Sequence, residues 1–274
     1  MPPAEQPARL RDMFASSTRR AALVTGVSRT NGIAAAVAHR LAVDGYDLFL
    51  SGLPAYDAAE YGTEDHTAEV VAALRETGAA VEYRAGDFAD PAEPGALVDA
   101  ALQRYGRIDA LAAVHAYSTQ TPLAEITAEE IDRHLSVNAR GSLLLVKHFA
   151  AAYGQEAELG GPGGRVVLFT SGQRLGPMPN ELAYIASKGA IEALTLSLSA
   201  SVAGQGITVN AVNPGPCDTG YATGEAYERV AAAFPTGRWG TPADVAPVVG
   251  WLCSAEAGWV TGQIINVEGG FHRG

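Results

Sequence analysis

Short apolar runs recur along the chain, and segments in which apolar and polar residues mix at helical spacing separate them. Several of these runs hold few polar residues and little period-two alternation, which is typical of parallel strands covered on both faces. They predict seven strands, at residues 21–25, 46–51, 80–85, 110–114, 165–169, 208–212 and 263–267. Repeated strand–helix units imply right-handed crossovers and one parallel sheet with helices on both faces, a doubly wound α/β fold.

The same pattern indicates one domain. Residues 1–18 are predicted to form a flexible tail. Residues 19–274 show no break in composition that would mark a second domain, and the glycine-rich stretch 153–165 is interpreted as a loop inside it. With 274 residues, 47% of them hydrophobic and 18% charged, the chain is suited to a globular core.

Charge and composition exclude several classes of function. The formal net charge of −11 argues against nucleic acid or an anionic membrane as a partner, because the average field repels both. Cys217 and Cys253 are far apart and the six histidines form no cluster, so we predict neither a disulfide nor a metal site. The first residues lack the apolar core of a secretory signal, and no run is long enough to span a membrane. We expect a soluble cytoplasmic protein.

The stretch LVTGVSRTNGIAAAV, residues 23–37, places a polar loop with glycines between the first strand and the first helix. In doubly wound folds the phosphates of a dinucleotide lie at this point, because glycine lets backbone amides approach and the helix N-terminus is partly positive. Glycine is also common in ordinary strand-to-helix turns. On this motif alone, a phosphate cradle and a plain turn both remain open.

Tyr184 and Lys188 stand four residues apart at the start of a helical run, so their side chains point the same way. A phenol has a pKa near 10, and a nearby ammonium favours its ionised form and brings the group closer to neutral pH. Ser171, at the end of the preceding strand, could polarise a substrate oxygen beside the phenol. The alternative is an ordinary surface tyrosine and lysine.

Six motifs in order carry a resemblance to a family: TGVSRTNGIA, VNARG, TSGQ, YIASK, VNAVNPGPCDTG and VTGQIINVEGG. Over residues 20–270 the chain resembles the single-domain form of the short-chain dehydrogenase/reductase family, and it is most similar to bacterial 3-oxoacyl-carrier-protein reductases. The resemblance implies a Rossmann-type seven-stranded parallel sheet, a homotetramer and an NAD(P)(H)-dependent oxidoreductase that interconverts a ketone and a secondary alcohol. The implied substrate is a small to medium carbonyl compound such as a 3-oxoacyl thioester.

The resemblance also implies catalytic roles. Tyr184 becomes the proton donor or acceptor, while Lys188 lowers its pKa and holds the nicotinamide ribose. Ser171 steadies the reacting oxygen, and Asn138 in VNARG positions a water that links the lysine to solvent. The implied cofactor-binding residues are Gly26, Ser28, Arg29, Gly32, Ile33, Asp87, Phe88, Tyr184, Lys188, Pro214, Gly215, Cys217 and Thr219.

Among these, Asp87 and Phe88 match the pair that contacts adenine, and the segment 214–219 matches the one that lies along the nicotinamide. A helix-approach cap at Asp87 and a tight turn at Pro214 and Gly215 are the alternatives for these positions.

The first loop departs from the family's Thr-Gly-x-x-x-Gly-x-Gly pattern. Without a gap, Thr30 falls where the second glycine belongs. Inserting Thr30 and Asn31 puts Gly32 and Ala34 in the glycine places and brings the following residues into helical register. We prefer the insertion, since alanine at the last place still allows close packing of helix on strand.

A second departure follows the fourth strand, where residues 113–116 read Ala-Val-His-Ala in place of Asn-Asn-Ala-Gly. The asparagines ordinarily tie the sheet together and help to hold the cofactor. His115 could donate to a backbone carbonyl or to the cofactor, and we favour a structural role over a catalytic one.

The choice of coenzyme is expected to favour NADP(H) over NAD(H). NAD(H) is usually selected by an acidic residue at the end of the second strand, and Gly52 stands there instead. Arg29 lies where a basic residue could bind a 2′-phosphate. Use of either coenzyme remains the alternative, because no second basic residue follows Gly52 and acidic residues lie downstream: Asp57, Glu60, Glu64 and Asp65.

Two other functions compete. An enoyl reductase is disfavoured, because the relatives known for that chemistry separate the tyrosine and lysine more widely. A non-catalytic nucleotide sensor or scaffold on the same fold is disfavoured by the complete set of proton-transfer groups. For assembly, the helices around 137–152 and 182–203 and the C-terminal strand resemble the family's subunit interfaces, which predicts a homotetramer with two-fold symmetry.

Overall fold

The seven predicted strands are present in the computed structural model, which describes residues 19–156 and 163–271. They are β1 (Arg20–Thr25), β2 (Tyr46–Gly52), β3 (Val81–Ala85), β4 (Ala110–Ala113), β5 (Arg165–Phe169), β6 (Thr208–Asn213) and β7 (Ile264–Asn266). Each end lies within one residue of its prediction. The strands pair in parallel in the order β3-β2-β1-β4-β5-β6-β7, so the predicted doubly wound sheet is confirmed.

Nine α-helices of the described residues connect the strands and cover both faces of the sheet. They are α1 (Ile33–Val43), α2 (Pro54–Tyr61), α3 (Thr67–Arg75), α4 (Glu93–Tyr105), α5 (Ala128–His134), α6 (Gly141–Glu156), α7 (Leu182–Val202), α8 (Gly224–Ala232) and α9 (Pro242–Leu252). A π-helical segment, Leu135–Arg140, joins α5 to α6 without a break. Such segments are rare and are frequent at functional sites.

Two hydrophobic cores explain why the strands lack polar alternation. Neighbouring residues of β1 point to opposite faces, so Val24 packs in the core under α1, α3 and α9, and Leu23 packs in the core under α4, α6 and α7. Both side chains are fully buried. Because both faces are covered, the four central positions of the strand, Ala21 to Val24, are all apolar and buried.

The order of the strands reverses at β1, which pairs with β2 on one side and β4 on the other. In open α/β sheets ligands bind at such a switch point, beyond the carboxyl ends of the strands. The loops that follow β1, β2, β3 and β4 meet there, and two of them hold six of the residues singled out from the sequence: Gly26, Ser28, Arg29, Gly32, Asp87 and Phe88.

Two sequence expectations concern residues that the structure does not describe. The predicted tail, residues 1–18, lies wholly outside the described residues, and so do residues 157–162 of the predicted loop 153–165. Among the described helices none is both long and apolar enough to cross a bilayer. In the same part of the chain, histidine, cysteine and acidic side chains form no group of three that could hold a metal ion.

Candidate active site

The loop after β1 approaches the end of β4 so closely that its first residue must be glycine. Gly26 has a φ of +85°, and a Cβ atom on it would lie 2.8 Å from the backbone nitrogen of His115. At the other end of the loop, Gly32 is the N-cap of α1, and buried Ala34 follows in the first turn. This placement agrees with the alignment that inserts Thr30 and Asn31.

His115 replaces the missing asparagines by tying β1, the end of β4 and the π-helical segment together. Its Nδ1 lies 2.7 Å from Oγ1 of Thr25, and its Nε2 lies 3.2 Å from the carbonyl oxygen of Val137. A carbonyl can only accept, so Nε2 donates to it and Nδ1 accepts from the hydroxyl. Burial, together with the nearby charge of Lys188, lowers the pKa of His115 to about 3. The ring is therefore a neutral structural group, as favoured from the sequence.

The predicted trio meets at the start of α7. The phenol of Tyr184 lies beside the side chain of Ser171, which follows β5. One helical turn further on, Nζ of Lys188 lies 5.6 Å from the centre of the Tyr184 ring and donates to the carbonyl oxygen of Phe169 at 2.9 Å. The hydroxyl, the phenol and the amine are thus held in one place by α7 and the end of β5.

Burial dominates the ionisation of this trio. Lys188 is only 2% exposed, and burial lowers its pKa to about 7. Burial also raises the pKa of Tyr184 above its usual range, while the interaction with the Ser171 side chain opposes the rise. The lowering of the Tyr184 pKa by Lys188 stays a prediction, because in the chain alone the amine donates to the Phe169 carbonyl and desolvation dominates the pKa of the phenol.

Asn138 lies in the π-helical segment and holds a neighbouring loop in place. Its side chain is fully buried; Oδ1 accepts from the backbone nitrogen of Tyr117 at 2.7 Å, and Nδ2 donates to the Tyr117 carbonyl at 2.8 Å. Nδ2 also lies 2.9 Å from Oγ of Ser187, which donates to the Tyr184 carbonyl at 2.7 Å. Asn138 therefore joins the loop after β4 to the helix of Tyr184. Its predicted contact with a water stays a prediction.

The segment after β6 closes the other side of the site. Gly215 has a φ of +62°, and a Cβ atom there would collide with Glu268. The carbonyl of Thr219 accepts from Arg29 at 3.2 Å and from Asn31 at 2.9 Å. Two hydrogen bonds thus tie this segment to the loop after β1, which brings together residues far apart in sequence.

Two adjoining cavities contain most of the residues predicted from the sequence. The first, which we call the nucleotide cavity, is lined by Gly26, Ser28, Arg29, Gly32, Ile33, Asp87, Phe88 and Thr219 among others. The second, which we call the catalytic cavity, is lined by Ile33, Ser171, Tyr184, Lys188, Pro214, Gly215, Cys217 and Thr219 among others. Asn138 lines neither cavity; it is hydrogen-bonded to the backbone of Tyr117, which lines the nucleotide cavity.

Cys217 and Asp87 line the cavities, and neither has the properties of a nucleophile or of a freely moving acid. Burial raises the pKa of Cys217 to about 12, so this thiol is not a nucleophile at neutral pH. Asp87, predicted to contact adenine, receives a hydrogen bond from Arg133 at 2.9 Å and another from the backbone nitrogen of Ala89 at 2.9 Å. Its carboxylate is therefore held in a fixed orientation at the rim of the nucleotide cavity.

Helix α2 contributes a group that sequence reasoning largely missed. Nε of Arg29 lies 3.2 Å from Oδ1 of Asp57, and the guanidinium stacks 4.5 Å from the centre of the Tyr61 ring. Tyr61 lines both cavities, and Tyr56 exchanges hydrogen bonds of 3.0 and 3.1 Å with the backbone of Ser118. The signal in the sequence was the unusual pairing of a proline start with two tyrosines in PAYDAAEY, directly after β2.

Comparisons with known proteins agree with this fold. A family model described as enoyl-(acyl carrier protein) reductase matches residues 26–272. The uncharacterized oxidoreductase YjdA of Bacillus subtilis is 37% identical over 258 residues, which is 94% of this chain and 99% of that protein.

Two solved structures have the same fold. A short-chain dehydrogenase/reductase from Serratia marcescens superposes with a TM-score of 0.80 at 28% identity, over 94% of this chain and 100% of the other. A 3-oxoacyl-[acyl-carrier protein] reductase from Brucella melitensis, solved with NAD, superposes with a TM-score of 0.81 at 28% identity, over 92% and 97%. The chain belongs to the short-chain dehydrogenase/reductase family.

Proposed function

We propose that this oxidoreductase reduces a ketone to a secondary alcohol, or catalyses the reverse reaction, with a 3-oxoacyl thioester as the favoured class of substrate. The observation that carries the proposal is the phenol of Tyr184, beside Ser171 and one turn from buried Lys188, at the wall of a cavity that adjoins the nucleotide cavity. The similarity to a 3-oxoacyl reductase supports the choice of substrate.

The residues of the nucleotide cavity fit an NAD(P)(H) coenzyme. Glycine at position 26 lets the loop after β1 approach the backbone of His115 more closely than a Cβ atom would allow, and the first residues of α1 line the cavity, where their amides can meet a diphosphate. Asp87 and Phe88 would lie at the adenine, and Lys188 at the nicotinamide ribose. When bound, the nicotinamide supplies or takes up the hydride.

The protein's own part in the reaction is to hold the carbonyl oxygen and to move one proton. The Ser171 hydroxyl would donate a hydrogen bond to the substrate oxygen, and Tyr184 would donate its phenolic proton to that oxygen as the alcohol forms. With a pKa of about 7, Lys188 can hold or release a proton near neutral pH, so it is suited to return a proton to the phenolate. Asn138 would keep the loop of Tyr117 and the start of α7 aligned.

The remaining parts of the proposal concern the coenzyme and the setting. We propose NADP(H) in preference to NAD(H), supported by Arg29 in the nucleotide cavity and by the absence of an acid at Gly52. A cytoplasmic location fits the two buried, unpaired cysteines. A homotetramer fits the exposed apolar side chains of Leu143 on α6 and Leu196 on α7.

The test compares Tyr184→Phe with Tyr227→Phe, which removes a hydroxyl outside the residues that line the two cavities. Ketone-dependent oxidation of the reduced coenzyme should fall about 100-fold or more in Tyr184→Phe, because general acid catalysis is lost. Coenzyme binding, followed by fluorescence, should persist in both variants, and Tyr227→Phe should keep its turnover. Near-normal turnover of Tyr184→Phe would refute the assignment.

The substrates of the assay separate the rival functions. A 3-oxoacyl thioester, simple ketones and an enoyl thioester are each tested with both coenzymes. Oxidation of the coenzyme by the enoyl thioester alone would identify an enoyl reductase. That result would contradict the expectation drawn from the four-residue spacing of Tyr184 and Lys188. Nucleotide binding with no turnover on the whole panel would identify a sensor or scaffold.

A further inference from the structure

The end of β2 has no room for the acidic residue that usually contacts the adenosine ribose. A Cβ atom on Gly52 would collide with the carbonyl oxygen of Val27 and would lie 2.5 Å from Oγ of Ser28. The nearest obstacle to a side chain at this position is the backbone of Val27, which cannot move aside as the end of a flexible side chain can. A carboxylate for the ribose therefore has to come from another element.

Helix α2 brings a carboxylate to the same cavity. Asp57 lies five residues after Gly52 and lines the nucleotide cavity together with Gly26, Gly52 and Arg29. Its side chain is 16% exposed and that of Arg29 is 17% exposed, so the 3.2 Å ion pair between them is largely removed from water. At such a place the two charges interact more strongly than on an open surface.

The pair is held from both sides. The guanidinium of Arg29 stacks over Tyr61 and donates to the carbonyl of Thr219, while Tyr56 anchors α2 to the backbone of Ser118. Arg29, the basic group available for a 2′-phosphate, is thus already engaged by an anion. Any coenzyme has to accommodate Asp57 as well as Arg29.

We propose that Asp57 is the residue that discriminates between the two coenzymes. This proposal rests on the proposed use of NAD(P)(H). A 2′-phosphate has to draw Arg29 away from Asp57 and then faces an uncompensated carboxylate. A 2′-hydroxyl can donate to the same carboxylate and leave the ion pair intact, since a carboxylate has several acceptor sites. Asp57 therefore limits the advantage that Arg29 gives to NADP(H).

The experiment measures dissociation constants by calorimetry, without turnover. The ligands are NAD⁺ and NADP⁺, and 5′-AMP and 2′,5′-ADP as fragments that differ at the 2′-phosphate. The variants are wild type, Asp57→Asn and Glu60→Gln, a matched control because Glu60 is an exposed acid on the same helix. Thermal unfolding verifies that each variant is folded.

We expect Asp57→Asn to shift the ratio of the two dissociation constants about fivefold to tenfold in favour of the 2′-phosphorylated ligand, in both pairs of ligands. Glu60→Gln should leave the ratio unchanged. In an Arg29→Ala background Asp57→Asn should still shift the ratio in the same direction, because the carboxylate of Asp57 then faces the 2′-phosphate with no cation beside it. A ratio for Asp57→Asn that equals wild type, or that equals Glu60→Gln, would overturn the proposal. Because the readout is binding, a failure of ketone reduction would refute the proposed function separately.

Discussion

Replacing Gly26 with alanine tests whether the close approach of the loop after β1 to the end of β4 shapes the nucleotide cavity. Gly45 offers a matched control, because its φ of +90° is close to the +85° of Gly26 and nothing lies within 4 Å of a Cβ atom built on it. Both variants force alanine into the left-handed region. Only Gly26→Ala adds a collision, with the backbone nitrogen of His115.

The structure sets the expected difference. A left-handed backbone costs a non-glycine residue about 1–2 kcal/mol, and the smaller entropy of the unfolded chain offsets about 0.4–1 kcal/mol of that. Gly45→Ala should thus lose roughly 1 kcal/mol of unfolding free energy. At Gly26 the contact of 2.8 Å is shorter than the 3.4 Å where ordinary van der Waals contact begins. Such overpacking adds about 1–3 kcal/mol, so Gly26→Ala should lose roughly 2–4 kcal/mol.

Denaturant unfolding gives the free energies, and calorimetric titration with the oxidised coenzymes gives the affinities. Gly26→Ala should bind both coenzymes at least about tenfold more weakly, because a displaced loop moves the amides that face the diphosphate. Gly45→Ala lies at the far end of α1 and should bind as wild type does. Equal losses of stability in the two variants, or unimpaired coenzyme binding by Gly26→Ala, would refute the reasoning.

Two further predictions concern His115 and Trp259. The folded-state pKa of His115 is about 3, against an ordinary value of 6.5, so between these pH values the unfolded chain binds a proton that the folded chain does not. The free energy of unfolding should therefore fall as pH falls below 6.5, by up to about 1.4 kcal/mol per pH unit. In denaturant titrations, His115→Gln should flatten this slope between about pH 6.5 and 4.5. An unchanged slope in the variant would show that other groups cause the pH dependence. Trp259 is 99% exposed in the single chain, so a tetramer that buries it should dissociate into smaller species in Trp259→Ser by light scattering, and a wild-type chain that is already monomeric would contradict the predicted assembly.

The strands were predictable because burial on both faces leaves a strong local signal. In β2 all seven residues are buried, and in β5 all five are, so the apolar runs end where the strands end. The π-helical segment Leu135–Arg140 was not predicted. Its sequence looks like continuous helix, and the contacts that Asn138 makes from it are with Tyr117, outside the segment.

The candidate site was predictable where one short motif carries the geometry. Tyr184 and Lys188 lie on one side of α7 because the helix repeat places them there. The partners of His115 could not be predicted in the same way, because Thr25 is 90 residues away and Val137 is 22 residues away. Such contacts depend on the order of the strands, which local patterns do not encode.

Asp57 shows a second limit of sequence reasoning. Its sequence position made it one of several acids downstream of β2, with nothing to separate it from Glu60 or Glu64. The fold separates them, because α2 turns its Asp57 side towards the nucleotide cavity and leaves Glu60 exposed to solvent. A basic residue read from the sequence as free to bind phosphate, Arg29, turns out to have an acidic partner.

The burial of Lys188 is itself an argument for catalysis over a structural role. Its pKa of about 7, against an ordinary 10.5, means that keeping this amine inside the fold costs roughly 5 kcal/mol while it is charged. The sign follows from proton binding: between pH 7 and 10.5 the unfolded chain binds more protons, so stability rises with pH in this window. An apolar side chain at this position would avoid that cost. A sensor that only binds nucleotide could hold the ribose with a permanently charged amine, whereas a proton relay behind Tyr184 requires one that exchanges its proton near neutral pH.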